Sequence, residues 1–326
     1  MARNSLLNSP KYYIRYRCVK LPLFGPKVEL KMDIDKDAYS PGEELKARIL
    51  ISSNKSVKME EVRLELTCMT TVEYNVVRRY ATTYFNEEDL NEFVREWKTI
   101  ELVKIREKVL EKGVIPARDL FLEKSLTIPL DAPPTFDGTL IKTNWIVKTV
   151  INRKLRKDII AKKNVTIMGH VSDEELKEPR EIPYDLKDAT ILIKVPRFAF
   201  KFGETVSGEI SIKAKKNLKF NEIRAELACI EKLDPTKILI TPITSSTEFQ
   251  GECFETFSRE SLAKGVELKE GDEQKFWFNL KAPNIQKPMC ETEYYKVAWF
   301  LNIVCSRRFK TDLKANIPIV LTNNID

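Results

Sequence analysis

The sequence predicts an all-β protein made of two tandem antiparallel β-sandwiches, with one short helix in the first. Three observations predict this fold: alternating apolar and polar residues recur in short runs, turn residues separate the runs, and the second half repeats motifs of the first. The 326 residues correspond to two ordinary domains. An apolar content of 43% is enough for a hydrophobic core in each.

The chain repeats itself in two blocks. Residues 41–68 align without gaps with residues 202–229, and eleven of the 28 positions are identical, from Gly42/Gly203 to Cys68/Cys229. Further along, residues 145–159 align with residues 299–313, beginning with a tryptophan in each copy. Because the blocks keep their order, the chain is predicted to be two copies of one domain, not an array of short repeats.

Each copy is predicted to consist of strands. Apolar residues alternate with charged residues from Val28 to Ile34, and the corresponding alternation in the second copy runs from Ile191 to Val195. The segments SPGE (40–43) and KFGE (201–204) supply turn residues where the chain must reverse. Many short alternating strands bounded by turns are typical of an antiparallel sandwich.

One segment departs from the strand pattern. In residues 85–97, FNEEDLNEFVREW, Asn86 is a suitable N-cap, and acidic residues fill the turn that follows. The apolar residues Leu90, Phe93, Val94 and Trp97 would form one stripe on a helix. We expect a short amphipathic helix that packs on the first sandwich or, alternatively, binds a partner.

Charge and composition suggest four segments. Residues 1–27 form a basic arm of net charge +6, which an extra strand over residues 11–19 could order. Residues 28–168 form the first sandwich, and residues 169–188 form an acidic linker or hinge of net charge −4. Residues 189–326 form the second sandwich. Because both sandwiches are nearly neutral, a broad nucleic-acid-binding face is not expected.

Composition argues against several classes of function. The chain has one histidine, His170, in a polar stretch, and no glycine-rich phosphate-binding loop. Its six cysteines include no CxxC pair, which favours free thiols in a reducing cytosol. No apolar run approaches the length of a membrane-spanning helix, and no secretory signal is recognisable. We therefore expect no enzyme activity, no cofactor and no metal.

The motifs together resemble the arrestin fold, in which two similar sandwiches are joined by a short hinge. The resemblance rests on the PGE turn and following strand (41–51) and on LTIPLDAPPTFDGTLIKTNWIVKTVI (126–151). In the second copy it rests on residues 202–212 and 276–283. It implies a cytoplasmic adaptor or scaffold in protein transport or signalling, which binds protein partners without catalysis. The chain has no PPxY motif, with which α-arrestins recruit ubiquitin ligases (PPTF at 133–136 is nearest). Its layout is closer to that of the arrestin-like subunit of retromer and of minimal arrestin-domain proteins.

Two functions remain open on this basis. The protein is an adaptor that binds membrane-protein cargo or its tails at the cytosolic membrane face, or it is a constitutive subunit of a retromer-like coat or trafficking complex held by sheet-edge contacts. An adaptor of this kind would use basic side chains to bind an anionic lipid surface or a phosphorylated tail. A solvated basic edge that deters aggregation explains the same charges. The candidate anionic-ligand residues are Lys11, Arg15, Arg17, Lys20, Arg153, Lys154, Arg156 and Lys157.

Overall fold

A computed structural model of the chain describes residues 26–80, 90–169, 179–239 and 247–322, and nearly all their regular structure is β-strand. The strands form antiparallel sheets stacked in two sandwiches, as the alternation of apolar and polar residues predicted. The predicted all-β fold is therefore confirmed. Parallel pairing is confined, among the described residues, to the short pairs made by residues 38–39 and 199–201.

The first sandwich stacks a three-stranded sheet, in the order β1-β3-β8, against a larger sheet built on β5, β10 and β11. Strand β6 pairs with β5, β9 pairs with β10, and β4 and β7 form a separate two-stranded ribbon. The strands are β1 Val28–Ile34, β2 Ala38–Tyr39, β3 Glu44–Ser53, β4 Val57–Met59, β5 Glu61–Tyr80, β6 Leu90–Leu110, β7 Gly113–Ile115, β8 Asp119–Thr127, β9 Phe136–Asp137, β10 Ile141–Asn152 and β11 Ile159–Ile167.

The second sandwich stacks the sheet β12-β13-β15-β19 against the sheet β14-β22-β21-β16-β18. One helical turn, α1, follows β16, with Asp234 as its N-cap. The elements are β12 Arg180–Asp185, β13 Ala189–Val195, β14 Ala199–Lys201, β15 Thr205–Ala214, β16 Leu218–Leu233, α1 Pro235–Ile238, β17 Thr247–Gln250, β18 Glu252–Leu268, β19 Glu273–Lys281, β20 Cys290–Glu291, β21 Tyr295–Ser306 and β22 Leu313–Thr322.

The internal repeat is a repeat of strand register. In the first sandwich Val28 of β1 pairs with Ser53 of β3, and 161 residues later Ala189 of β13 pairs with Ala214 of β15. The repeat extends to hydrogen bonds at the core. The buried indole of Trp145 donates to the carbonyl of the residue twelve positions earlier at 2.7 Å, and buried Trp299 does the same at 2.7 Å.

The paired turns also match. Gly42 and Gly203 have φ angles of 84° and 82°, the left-handed conformation that glycine adopts without steric cost. Cys68 and Cys229 lie on the inward face of β5 and β16 and are buried. These residues therefore have structural roles, and the two copies keep them because each sandwich needs the same turn and the same small core residue.

The helix predicted over residues 86–97 is wrong for its described part. Residues from Leu90 onward are the first residues of β6, which pairs with β5 from Tyr80↔Leu90 to Val62↔Leu110. Residues 86–89 lie outside the described residues. A continuous partner strand satisfies the backbone hydrogen bonds here, and such tertiary pairing overrides a weak helical pattern. Phe93 and Trp97 are consequently 69% and 73% exposed instead of packed beneath a helix.

The two sandwiches are joined by more than a linker. Strand β17 of the second half pairs antiparallel with the segment Asn75–Arg78 of β5 in the first half. One buried core cluster also includes residues of both halves, among them Val72 and Phe136 with Tyr295. Within the predicted linker 169–188, residues Arg180–Asp185 are an edge strand of the second sandwich, and residues 170–178, with His170, lie outside the described residues.

Candidate functional site

The predicted anionic-ligand residues fall into two groups. Lys11, Arg15, Arg17 and Lys20 of the basic arm lie outside the described residues, so their role stays a prediction. The second group, residues 153–157, forms the turn between β10 and β11 at one end of the first sandwich. These basic residues therefore lie in one turn, and their role as ligands stays a prediction.

The turn has an apolar tip surrounded by cations. Leu155 has a φ of 57°, a left-handed conformation that is uncommon for this residue type, and its side chain is 96% exposed. Lys154, Arg156 and Lys157 are exposed on either side of it, and none of them forms an ion pair with a described residue. The tip thus presents one apolar side chain and three uncompensated charges to solvent.

Arg153 differs from its neighbours, because it is only 5% exposed. Its guanidinium donates to the carbonyl of Lys157 and so closes the turn, while its Nε has no hydrogen-bond partner among the described residues. Burial, and then the charge of Arg156, lower the pKa of Arg153, and Asp158 opposes them. The sequence grouped Arg153 with three exposed candidate residues. In the structure it is instead a buried cation whose charge is poorly compensated.

A pocket of about 740 Å³ opens beside this turn, between it and the ribbon of β4 and β7. Five cations line it, and Lys112 among them pairs with the lining carboxylate Glu60 at 3.0 Å. The remaining four cations form no ion pair with a described residue, so the walls of the pocket carry excess positive charge. These four are Lys58, Arg153, Lys154 and Arg156.

In the equivalent turn of the second sandwich, the charge of the buried arginine is neutralised by an acidic residue of the same sandwich. Phe309 occupies the tip with a φ of 57° and is 92% exposed, and Arg307 closes the turn by donating from Nε to the carbonyl of Thr311 at 2.8 Å. Arg307 also donates to the carboxylate of Asp188 at 2.5 Å, and Lys216 lies 2.6 Å from that carboxylate. Hydrogen bonds from Lys216 and Arg307 hold the pKa of Asp188 at about 2.

A second exposed feature lies on β6. This strand is 21 residues long and pairs with β5 along one edge, and no described strand pairs with its other edge. Phe93 and Trp97 project from the same face of β6 into solvent. The strand therefore offers unpaired backbone groups beside two large apolar side chains.

A buried polar cluster, which the sequence did not reveal, joins the two sandwiches. The carboxylate of Glu231 in β16 is 2% exposed and accepts hydrogen bonds from the backbone N–H groups of Thr139, Leu140 and Ile141 at 2.8, 2.8 and 3.1 Å. The ammonium of Lys287 lies 2.9 Å from the same carboxylate. A charged pair at buried positions contradicts the alternation pattern, so hydropathy alone could not have found it.

Two neighbouring groups complete this cluster. Lys287 also contacts Glu255 at 3.2 Å and the hydroxyl of Thr139 at 3.2 Å. Burial favours the neutral amine, but pairing with Glu231 and Glu255 outweighs it and raises the pKa of Lys287. Gly138 permits the close approach, because a β-carbon at this position would lie 2.6 Å from a carboxylate oxygen of Glu231. The cluster acts as a fixed contact between the sandwiches.

Metal-ligand groups and reactive thiols are the next features of the described residues. No group of three or more histidine, cysteine, aspartate and glutamate residues among them could hold a metal ion. Burial raises the pKa of the Cys68, Cys229 and Cys305 thiols to about 12 and that of Cys290 to about 11, so none of the four is a thiolate near neutral pH. No described helix is long and apolar enough to cross a membrane.

Comparison with known proteins matches both halves of the chain to one family. The family model described as "Arrestin (or S-antigen), C-terminal domain" matches residues 26–171 and again residues 187–325. Arrestin domain-containing protein 17 of Caenorhabditis elegans is 24% identical over 165 residues. That alignment covers 47% of this chain and 37% of the relative, so the chain spans little more than a third of the length of the curated protein it matches.

Proposed function

The chain belongs to the arrestin family, and on that premise we propose that it is a non-catalytic cytoplasmic adaptor that binds membrane-protein cargo or its tails at the cytosolic membrane face. Proteins of this family are generally adaptors without enzyme activity. Membrane proteins and the lipids around them present negative charge on the cytosolic side. A protein that works there needs a cationic surface whose charge is not already neutralised by its own acidic residues.

The turn at residues 153–157 carries this proposal. Its exposed Leu155 can insert among lipid headgroups, and each of the three flanking cations contributes about 1 kcal/mol next to an anionic surface. The tip of the second sandwich supports it, because exposed Phe309 is likewise flanked by basic residues, Arg308 and Lys310. Association driven by these charges weakens as salt shortens the Debye length.

The test is co-sedimentation of the full chain with phosphatidylserine-containing vesicles at low and at high salt. The variant Lys154→Ala/Arg156→Ala/Lys157→Ala loses about 3 kcal/mol of attraction, or roughly a hundredfold in affinity. A second variant replaces the four candidate residues of the arm, Lys11, Arg15, Arg17 and Lys20, by alanine. The matched control, Lys219→Ala/Lys275→Ala/Lys296→Ala, changes the net charge equally on exposed residues elsewhere. Equal binding by the turn variant and the wild type at all salt concentrations would contradict the proposal.

The edge of β6 favours a second candidate function, a constitutive subunit of a retromer-like coat or trafficking complex. Unpaired strand edges associate readily with a strand of another chain, and such binding needs no charge. Under this alternative a partner stays bound at high salt and is lost in Phe93→Glu/Trp97→Glu. The control is Phe121→Glu, a single substitution of the same kind at a residue that is 75% exposed in β8. A partner that the control releases equally would argue against the β6 edge.

A further inference from the structure

The turn of residues 153–157 in the first sandwich and its copy, residues 307–311 in the second, differ in how their arginine is neutralised. In the second sandwich the buried guanidinium of Arg307 is neutralised by Asp188, the residue before β13. Because the pairing β1–β3 repeats in β13–β15 with an offset of 161 residues, the position of Asp188 corresponds to that of Lys27 before β1. The backbone agrees, since the N–H of Lys215 donates to the carbonyl of Asp188 and the N–H of Asn54 donates to that of Lys27.

The first sandwich keeps the cations of this arrangement and replaces the anion. Arg153 corresponds to Arg307 and closes its turn in the same way, and Lys55 corresponds to Lys216. Lys27, a cation, stands where the carboxylate should be. In Arg307 the carboxylate of Asp188 accepts from Nη1, and no described carboxylate pairs with the corresponding nitrogen of Arg153. The Nε of Arg153 is also buried without a partner, whereas the Nε of Arg307 donates to the carbonyl of Thr311. A buried donor without a partner costs free energy unless an acceptor is supplied from outside.

We propose that the first sandwich binds an external phosphate group in the space that the Asp188 carboxylate fills in the second, with Arg153, Lys55 and Lys27 as its ligands. Lys27 and Lys55 are exposed, so their ammonium groups are free to turn toward a ligand held by Arg153. A guanidinium and two ammonium groups suit an oxyanion with several acceptor oxygens and a double negative charge. The adjoining pocket, of about 740 Å³, leaves room for the group that carries the phosphate.

The acids near this position do not supply the missing charge. Glu60 pairs with Lys112. Asp158, which lies in the turn itself, opposes the lowering of the Arg153 pKa without reversing it. Its counterpart Asp312 accepts a hydrogen bond from the backbone N–H of Arg307, so this carboxylate has a role in holding the turn in the other copy. The cation excess therefore remains for a ligand to neutralise.

The phosphate can come from a soluble ester or from a lipid headgroup, and this inference rests on the cationic surface of the proposed function without requiring a membrane. Calorimetric titration of the full chain with pyrophosphate tests the soluble source, and vesicles containing phosphatidic acid test the lipid source. Vesicle binding that Lys27→Asp leaves unchanged, without binding of pyrophosphate, would keep the proposed adaptor function and overturn the inference. Binding of pyrophosphate but not of vesicles would keep the inference and contradict the proposed adaptor function.

The decisive variant is Lys27→Asp, which recreates the carboxylate of the second sandwich. We expect it to bind pyrophosphate at least tenfold more weakly than the wild type and to unfold at a higher temperature in the absence of ligand. Lys31→Asp is the control, because it makes the same charge change on an exposed residue of β1 and should bind as the wild type does. Pyrophosphate should raise the unfolding temperature of the wild type but not of Lys27→Asp.

A mirrored variant keeps the inference testable if substitution at residue 27 prevents folding. Asp188→Lys gives the second sandwich the arrangement of the first, and we expect it to gain a second pyrophosphate site. Undiminished pyrophosphate binding by Lys27→Asp, or weakening to the same extent by Lys31→Asp, would overturn the assignment. So would a wild type that gives no binding heat and no rise in unfolding temperature with pyrophosphate and binds phosphatidic acid vesicles no better than Lys27→Asp does.

Discussion

Replacing Lys287 by methionine should destabilise the whole chain, because this residue neutralises a carboxylate buried between the two sandwiches. Its ammonium lies 2.9 Å from Glu231, and the two side chains are 7% and 2% exposed. Removing one partner of a buried ion pair costs about 3–5 kcal/mol. Three backbone N–H groups still bind the carboxylate, so we expect about 3 kcal/mol, which corresponds to roughly 6 °C in Tm at about 2 °C per kcal/mol.

Differential scanning calorimetry measures this effect, with Lys296→Met as the matched control. Lys296 lies in the same sandwich and pairs with Glu291 at 2.7 Å, but its side chain is 50% exposed, so its loss should cost less than about 1 kcal/mol. A double-mutant cycle with Glu231→Gln isolates the coupling between the partners. Equal midpoints for Lys287→Met and Lys296→Met would refute the idea that the pair fastens the two sandwiches together.

Three further results are expected. Because hydrogen bonds from Lys216 and Arg307 hold the pKa of Asp188 at about 2, below the ordinary 3.8, its contribution to stability is complete above pH 4 and is lost as the pH falls toward 2; acid titration of Asp188→Asn should lack this component. Gly138→Ala brings a β-carbon within 2.6 Å of a carboxylate and should cost about 1–3 kcal/mol, whereas Gly113→Ala, whose nearest atom is 3.7 Å away, should cost less in urea unfolding. The four buried thiols should resist a disulfide reagent in the native protein and react once it is denatured.

Much of the fold could be predicted from the sequence because strand alternation is a local property. The turns at Gly42 and Gly203 followed from their turn residues, and the internal repeat paired them. The error at β6 has a physical cause: Leu90, Phe93, Val94 and Trp97 fit a helical stripe, and only pairing with a distant strand decides against it. A local pattern carries no information about that pairing.

The sequence placed the candidate basic residues in one segment but did not predict their burial, and their role as ligands stays a prediction. The sequence placed Arg153, Lys154, Arg156 and Lys157 together, and the turn after β10 holds them there. It could not separate the buried Arg153 from its exposed neighbours, because burial depends on the ribbon packed beside the turn. The difference between Lys27 and Asp188 was available in the repeat, at the same offset of 161 residues, but it lies outside the block of visible identity.

Affinity capture from the native cell's lysate, washed at low and at high salt and analysed by mass spectrometry, tests the adaptor function most directly. The account predicts that the wild type retains membrane proteins at low salt, that high salt releases them, and that Lys154→Ala/Arg156→Ala/Lys157→Ala captures few of them. A single stoichiometric soluble partner, retained at high salt by both proteins, would contradict the account and identify a coat-type subunit instead.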